Sequence, residues 1–208
     1  MQEIMGRRSN RERTEQTRGH LIAAARRLFT EKGYADTATP EIVEAAGVTR
    51  GALYHHFEDK KALFRAVCEQ EARLVAEAIE QAAPENLSLR DALIQGGDAF
   101  LHAMAAPGRT RLLLLDGPAV LGRAEMDEID ARHSSRTLRA GIAHGIREKA
   151  IVPNLSLDAV TALLSAAFDR AALAIEAGGK PADYAQALTV LIEGLLRPAD
   201  RRDGHSAS

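Results

Sequence analysis

The stretch from Thr39 to Lys60 constrains the fold more than any other part of this chain, because it starts a helix, stops it and starts another. Thr39 followed by Pro40 predicts an N-cap with proline at the first helical position. Gly47 predicts the left-handed residue that ends this helix, and Thr49 predicts the N-cap of the next one. Two short helices joined through a glycine turn are typical of a helix-turn-helix.

Helical periodicity also runs through the rest of the chain. Apolar residues share one face of a helix that precedes Gly33, at Leu21, Ile22, Ala25, Leu28 and Phe29. Asp59 is placed to cap a long helix that ends near Pro84. Further helices are predicted over residues 87–105, 107–116, 124–149, 157–177 and 182–196, with a break at Asp116–Gly117–Pro118. Since aromatic residues make up only 4% of the chain, we expect an all-α protein of about nine helices.

Charge and cysteine content restrict the class of protein. Residues 1–65 contain 12 Lys and Arg against 9 Asp and Glu, whereas the remainder contains 15 against 20, so the N-terminal part is the one suited to a polyanion. Cys68 is the single cysteine, which excludes an intrachain disulfide and fits a reducing compartment. No stretch reaches the roughly 18 apolar residues of a membrane span. We therefore expect a cytoplasmic protein.

The second of the two short helices has the side chains that reading duplex DNA requires. Gly51 and Ala52 keep it slim, so that its backbone can approach base edges, and Arg50 is long enough to reach a guanine or a phosphate. Candidate donors to phosphate oxygens are Thr49, Tyr54, His55 and Lys60. The basic residues between Arg7 and Arg18 form an arm that could follow the DNA backbone or a minor groove.

The chain from Leu21 to Val67 contains IAAARRLFTEKGY followed by TATPEIVEAAGVTRGALYHHFEDKKALFRAV, and it resembles the DNA-binding head of the TetR family of bacterial regulators. The match runs without a gap, and its core AGVTRGALYHHFEDKKAL is far more specific than a bare helix-turn-helix. The resemblance implies that the helix from Thr49 to His56 is the recognition helix. It also implies phosphate contacts at Tyr54 and Lys60. Pro40 departs from the family, which often has a polar or basic residue there.

The same match places the start of the supporting helix near the DNA backbone, at Thr37 and Thr39. The DNA-binding residues predicted from the pattern and the resemblance together are Thr37, Thr39, Thr49, Arg50, Gly51, Ala52, Tyr54, His55, His56 and Lys60. We divide the chain into a basic flexible arm at 1–17, a DNA-binding domain at 18–62, a regulatory domain at 63–197 and a disordered tail at 198–208.

The resemblance implies that the C-terminal part is a variable helical regulatory domain whose last two long helices pair across a homodimer. Those helices also carry more apolar surface than one core needs, which favours a four-helix interface over a thick monomeric core. The predicted interface comprises Leu164, Phe168, Ala171, Ile175, Leu188, Leu191, Ile192 and Leu195. A two-fold dimer would hold two recognition helices about one DNA turn, ~34 Å, apart, and this predicts a palindromic operator.

A small-molecule pocket is predicted from residues that mix apolar bulk with polar groups, although most of them could equally be ordinary core. They are Phe100, His102, Met104, Leu115, Met126, His133 and Phe168. Asp169 and Arg170 lie within an alanine- and leucine-rich helix, where buried charges need partners. We expect them to form an ion pair in the structure or at the interface, with a ligand contact as the alternative.

These features predict a sequence-specific repressor that binds a palindromic operator on double-stranded DNA as a homodimer and is released by an unidentified small-molecule effector. An activator or an effector-independent DNA-binding protein would use the same head. A helical small-molecule-binding protein or enzyme without specific DNA binding is the alternative of another class. The sequence shows no nucleophile elbow, P-loop or paired catalytic carboxylates, and its histidines are scattered. We expect no enzyme activity, cofactor or metal, and association with the nucleoid when DNA is bound.

Overall fold

The computed structural model describes residues 10–84 and 87–198. These residues form α-helices together with one π-helical stretch, Arg111–Asp116. The helices are α1 (Asn10–Lys32), α2 (Thr39–Ala46), α3 (Arg50–His56), α4 (Lys60–Ala82), α5 (Leu89–Met104), α6 (Gly117–Val120), α7 (Arg123–Arg132), α8 (Ser134–Arg147), α9 (Leu157–Glu176) and α10 (Pro181–Leu195). The all-α class is therefore confirmed. Among the described residues, none of the helices is long and apolar enough to span a bilayer.

The chain divides into two compact units, one ending at Cys68 and the other beginning at Glu69. The sequence-based boundary lies earlier, at residue 62. The difference arises because the first turns of α4 supply core residues to the first unit, among them Leu63, Phe64 and Val67. Helix α4 consequently belongs to both units.

The first unit is a three-helix head closed by the start of α4. Its core combines the predicted α1 face with buried residues of the other three helices, including Ile42, Leu53 and Phe57. Tyr34 joins this core in a cluster of three rings, 5.6 Å from Phe29 and 5.0 Å from Phe64 between centroids. Aromatic packing of this kind fixes the chain between α1 and α2.

The helix ends in the head follow the sequence closely, with two corrections. Gly33 and Gly47 have positive φ angles of 84° and 65°, as the helix stops require. Helix α1 begins at Asn10, so residues 10–17 are helical and not a flexible arm; the part of that arm before residue 10 lies outside the described residues. The N-cap of α2 is Ala38, not Thr39, because the Glu41 carboxylate accepts the Ala38 N–H at 3.0 Å and fixes the turn one residue earlier.

The second unit packs α5, α9 and α10 around Phe168. Its ring lies so close to Gly97 that a Cβ there would be 2.7 Å from it. A second cluster lies under α8 and the chain that follows it, where Ile151 pairs with Leu196 in an isolated antiparallel bridge. The predicted tail lies outside the described residues beyond Pro198.

Two helix predictions in this unit are wrong. The helix expected over 124–149 is broken at His133, whose φ and ψ of −120° and −104° are not helical, and it forms α7 and α8. The expected break at Asp116–Gly117–Pro118 is absent. The preceding stretch instead widens to a π-helix, in which the Gly117 N–H bonds the carbonyl of Leu112 five residues back, and Pro118 lies in the first turn of α6.

The predicted dimer face also needs correction. Leu164, Phe168, Ala171, Leu188 and Ile192 are buried against their own chain, which leaves them no surface for a partner. Leu191 is 54% exposed, and Ile175 and Leu195 are partly buried. The most exposed apolar side chains on the two helices are instead Leu163, at 72%, and Val190, at 62%. The sequence overestimated the interface because one apolar stripe on each helix already fills the subunit core.

Candidate nucleic-acid interface and internal cavity

Helix α3 is held in place by its cap and by two core residues. The Thr49 hydroxyl accepts the Ala52 N–H at 3.2 Å, as the sequence predicts. Leu53 and Phe57 point into the core of the head and are 0% and 5% exposed. The opposite face of α3 is therefore turned to solvent on a rigid support.

That solvent face presents most of the predicted DNA-reading residues side by side. Arg50, Gly51, Tyr54 and His55 are exposed, and Ala52 is partly buried. The Arg50 guanidinium lies 5.5 Å from the centroid of the Tyr54 ring, so the two side chains form one stacked unit. A Cβ on Gly51 would have only the Thr49 hydroxyl within 4 Å, at 3.9 Å, which leaves the helix backbone open to a close approach. This arrangement suits a helix that enters a major groove.

His56 lies at the edge of this face and differs from His55 in its environment. It is partly buried, and this burial, with the nearby His55 and Arg18, lowers its pKa below the usual value. His56 is therefore neutral at pH 7 and is suited to a hydrogen bond rather than to neutralising a phosphate. Arg18 itself stacks on Phe57, at 5.4 Å from the ring centroid, and so belongs to the helical head.

Two of the predicted contact residues are engaged inside the head. Thr37 is 1% exposed, and its hydroxyl donates to the carbonyls of Gly33 and Leu28 at 2.7 and 3.3 Å. Its side chain thus stabilises the turn between α1 and α2 and does not reach the surface. The Lys60 ammonium donates to the carbonyls of Tyr34 and Thr37 at 2.9 and 3.0 Å, which leaves one of its three N–H donors for a phosphate. Thr39 is partly buried in the first turn of α2.

The second unit contains a cavity of about 390 Å³ between α4, α5, the π-helical stretch, α7 and α9. Three residues of the predicted pocket line it, namely Phe100, Met104 and Met126. Phe168 lines a neighbouring cavity of about 320 Å³. His102 and Leu115 are exposed, and His133 lies at the break between α7 and α8, so these three predicted residues line neither cavity.

The two cavities share part of their walls. The shared residues are Phe100, Asp130, Ser134, Ser135 and Ser165. Their volumes lie within or near the range of pockets that bind small molecules. A ligand longer than one cavity would therefore pass Phe100 and Asp130 to enter the other.

Two carboxylates dominate the electrostatics of this region. Asp130 accepts a hydrogen bond from the Ser165 hydroxyl at 3.2 Å, and burial raises its pKa above the usual value. Burial, reinforced by the charges of Asp130 and Asp127, raises the pKa of Asp169 to about 7, against an opposing effect of Arg123. Among the described residues, no salt bridge joins Asp169 to a cation of the chain, and Arg170 is exposed. The ion pair expected for these two residues is thus absent within one chain.

A buried ion pair fixes the part of α4 that lines the cavity. Glu71 is 2% exposed, and its carboxylate accepts the Arg109 Nε–H at 2.9 Å. Arg109 also donates to the carbonyl of Ala103 at the end of α5. Since Ala72 and Val75 line the cavity on the same helix, its wall is tied to the start of the π-helical segment.

Sequence reasoning missed the residues that give the cavity its charge. These are Arg123, Asp127 and Asp130 on α7, together with Ser165 on α9. Asp127 and Asp130 are three residues apart, which places them on one side of a helix. That spacing is a usable signal, but it does not show which side of α7 lines a cavity, because the orientation of α7 depends on the break at His133.

Comparisons with known proteins agree with this architecture. Residues 21–67 match the family described as "Bacterial regulatory proteins, tetR family", and residues 90–198 match "Tetracyclin repressor-like, C-terminal domain". The second match alone covers more than half of the chain. Helix α3 lies within the first matched region, and most of the cavity walls lie within the second.

Individual relatives match either a short part of this chain or most of it. The transcriptional regulator AcrR of Shigella flexneri is 45% identical over 62 residues, which are 30% of this chain and 29% of that protein. The A-factor receptor protein of Streptomyces griseus is 34% identical over 154 residues, or 72% of this chain and 53% of the receptor. The chain thus spans only about a third to a half of the curated relatives it matches. These relatives are named as regulators or receptors, not as enzymes.

A solved structure extends the similarity to almost the whole chain. The crystal structure of a TetR-family transcriptional regulator from Pectobacterium atrosepticum is 34% identical, covers 91% of this chain and is itself covered to 98%, with a TM-score of 0.72. At that identity and coverage, the likeness extends beyond the fold. The chain belongs to the TetR family of bacterial transcriptional regulators.

Proposed function

We propose that the protein is a repressor that binds a palindromic operator as a homodimer and releases it when a small molecule occupies the cavity of the second unit. The observation that supports DNA reading best is the solvent face of α3. On that face Arg50 stacks on Tyr54, and the backbone at Gly51 is open to solvent. The opposite face of the helix is anchored by buried core residues. This placement supports a base contact by Arg50 and a phosphate contact by Tyr54.

The dimer is proposed from the exposed apolar side chains of α9 and α10. Leu163, Val190 and Leu191 are all more than half exposed on the last two helices. Such side chains stay in water unless a second copy covers them. A two-fold axis through this face would give the operator two half-sites of inverted sequence.

Release by an effector is proposed from the position of α4. This helix begins with Lys60 in the head and contributes Ala72 and Val75 to the cavity wall. A ligand that binds one position of α4 more tightly than another would shift the protein toward the state with that position. The Glu71–Arg109 pair holds the cavity portion of this helix.

Selection of random duplex DNA with the purified protein tests the central claim. Enrichment of an inverted repeat, bound by a complex of two chains, is expected. Binding of all duplexes with equal affinity would instead indicate a sequence-indifferent DNA protein and refute the repressor proposal. Repression or activation is then distinguished by transcription from a promoter that carries the selected site.

Fluorescence anisotropy with variants separates base contacts from phosphate contacts. Arg50→Ala is expected to reduce the preference for the selected sequence by about 1–3 kcal/mol, whereas Lys60→Ala is expected to weaken all sequences alike. Arg147→Ala removes the same charge from an exposed position on α8 and is the matched control. Retention of full affinity and selectivity by both head variants would show that α3 is not the reading helix.

A further inference from the structure

The larger cavity carries an excess of negative charge. Its charged lining residues are three carboxylates, Asp127, Asp130 and Asp169, and one guanidinium, Arg123. Asp127 and Arg123 are exposed, whereas Asp130 and Asp169 are partly buried. The two carboxylates that water screens least are therefore the two that face the interior.

Asp169 is a partly buried carboxylate without a partner among the described residues. Among the described residues no hydrogen-bond donor or salt-bridge cation of the chain is placed on it, and Arg123 acts on it only from a distance. Ionised carboxylates in partly buried positions are normally paired, because the loss of hydration costs several kcal/mol. An unpaired carboxylate in the wall of a cavity is therefore suited to binding a cationic group of a ligand.

Asp130 is held differently and marks the junction of the two cavities. The Ser165 hydroxyl and the backbone N–H of Ser135 donate to its carboxylate, which fixes the orientation of the group. Asp130 lines both cavities, so one carboxylate is within reach of a ligand in either of them.

The other walls are mostly apolar. From α4, α5 and the π-helical stretch, the larger cavity is lined by Ala72, Val75, Phe100, Met104, Leu113 and Leu114. The smaller cavity continues with Ile79, Leu93, Leu138 and Phe168. These side chains suit a hydrocarbon or aromatic body and offer no charge that would compete for the two carboxylates.

We propose that the effector is an organic cation: an amine or quaternary ammonium group bound between Asp130 and Asp169, with an apolar body that passes Phe100 into the smaller cavity. The inference rests on the proposed function, since it takes this cavity to be the effector site. Ring faces at Phe100 and Phe168 add a favourable environment for a cation and for the part of the ligand next to it.

The charge of Asp169 gives the proposal a pH signature. The charged and polar groups that line the cavity with it are Asp127, Asp130 and Arg123 from α7, Ser165 from its own helix, and Ser134 and Ser135 from the start of α8; the remaining lining side chains are apolar. With a pKa of about 7, the carboxylate form falls from about nine-tenths at pH 8 to about one-tenth at pH 6. A permanently charged ligand should therefore bind about tenfold more weakly at pH 6.

Three probes with one apolar body test the charge preference by isothermal titration calorimetry on the full chain. They are trimethyl(4-phenylbutyl)ammonium, 4-phenylbutanol and 4-phenylbutyrate. The cation is expected to bind at least tenfold more tightly than the alcohol and the acid at pH 8. Equal or tighter binding of either, or no binding of the cation at millimolar concentration, would overturn the proposal. Tighter binding of the alcohol at pH 6 than of the cation at pH 8 would show that a protonated Asp169 donates to a neutral ligand, and it would also overturn the proposal.

Variants locate the binding group. Asp169→Asn should reduce cation affinity at least tenfold and abolish its pH dependence, while binding of the alcohol changes less than twofold. Glu128→Gln removes an exposed carboxylate from α7 outside both cavities and should leave all three affinities unchanged. An equal loss of cation affinity in both variants would show that the preference comes from the overall surface charge, and it would contradict the assignment to Asp169.

Operator release is measured separately, by anisotropy of labelled DNA with the same probes. A cation that binds with the expected preference but leaves the DNA complex intact would support the charge assignment and refute release by this site. Release by the neutral or anionic probe alone would support the proposed function and refute the cation.

Discussion

Replacing Asp169 by asparagine should make the ligand-free protein more stable, and the gain should depend on pH. The folded state raises the pKa of this carboxyl from 3.8 to about 7, so the native protein holds a proton that the unfolded chain has lost. A raised carboxyl pKa contributes stability that is fully present below pH 3.8 and is lost as pH rises toward 7. Asparagine keeps the shape of the protonated group and cannot ionise, so the variant avoids this loss.

The magnitude follows from the two pKa values. Between pH 5 and pH 8, ionisation of Asp169 lowers the free energy of unfolding of the wild type by about 2–3 kcal/mol, and the variant does not have this loss. Any difference between asparagine and protonated aspartate is the same at both pH values and does not change this figure. For a chain of this length, the difference in Tm between Asp169→Asn and the wild type should therefore be roughly 5–10 °C larger at pH 8 than at pH 5.

Thermal unfolding of both proteins at pH 5, 6, 7 and 8 and one fixed protein concentration measures this difference. The concentration must be fixed because association shifts Tm. Glu128→Gln, an exposed carboxyl on α7, provides the control and should show no trend. A variant that is no more stable than wild type at pH 8, or whose gain does not shrink toward pH 5, would refute the burial argument.

Three further changes test packing and association. Glu71→Ala should lower the free energy of unfolding by about 3–5 kcal/mol, because it leaves a buried guanidinium unpaired. Glu77→Ala removes a carboxylate from an exposed pair on the same helix and should lower it by less than about 1 kcal/mol. Urea unfolding measures both changes. Gly97→Ala should destabilise by about 1–3 kcal/mol through its clash with an aromatic ring, while Gly19→Ala, in open space on α1, should be neutral or stabilising in the same assay. Leu163→Glu should convert the proposed dimer to monomers in sedimentation velocity, and an unchanged sedimentation coefficient would contradict an interface at this face.

The head could be predicted from the sequence because its signals are local. A threonine cap, two glycines with positive φ and a short apolar face each act within a few residues, and the structure has them where expected. Ala38 is the exception: its cap is made by a glutamate three residues later, and a sequence pattern led by Thr39 points one residue too far.

The second unit was harder to predict because its features depend on contacts distant in sequence. The burial of Phe168 and Leu188 comes from packing α5 against α9 and α10, and apolar periodicity alone cannot tell a subunit core from a dimer face. In the same way, Asp169 was expected to pair with a cation. Only the fold shows that it lines a cavity together with Asp130 and forms no salt bridge with Arg123.

The π-helical stretch gives the cavity wall a property that an ordinary helix lacks. Leu113 and Leu114 are consecutive in sequence, and both line the cavity. Its hydrogen bonds join residues five apart, as from Gly117 to Leu112, so its turn is wider than that of an α-helix. The wider turn brings consecutive side chains closer together around the helix axis, so that both leucines reach the same cavity. Six residues, Arg111–Asp116, therefore give this wall two adjacent leucines where side chains of an ordinary helix would diverge more.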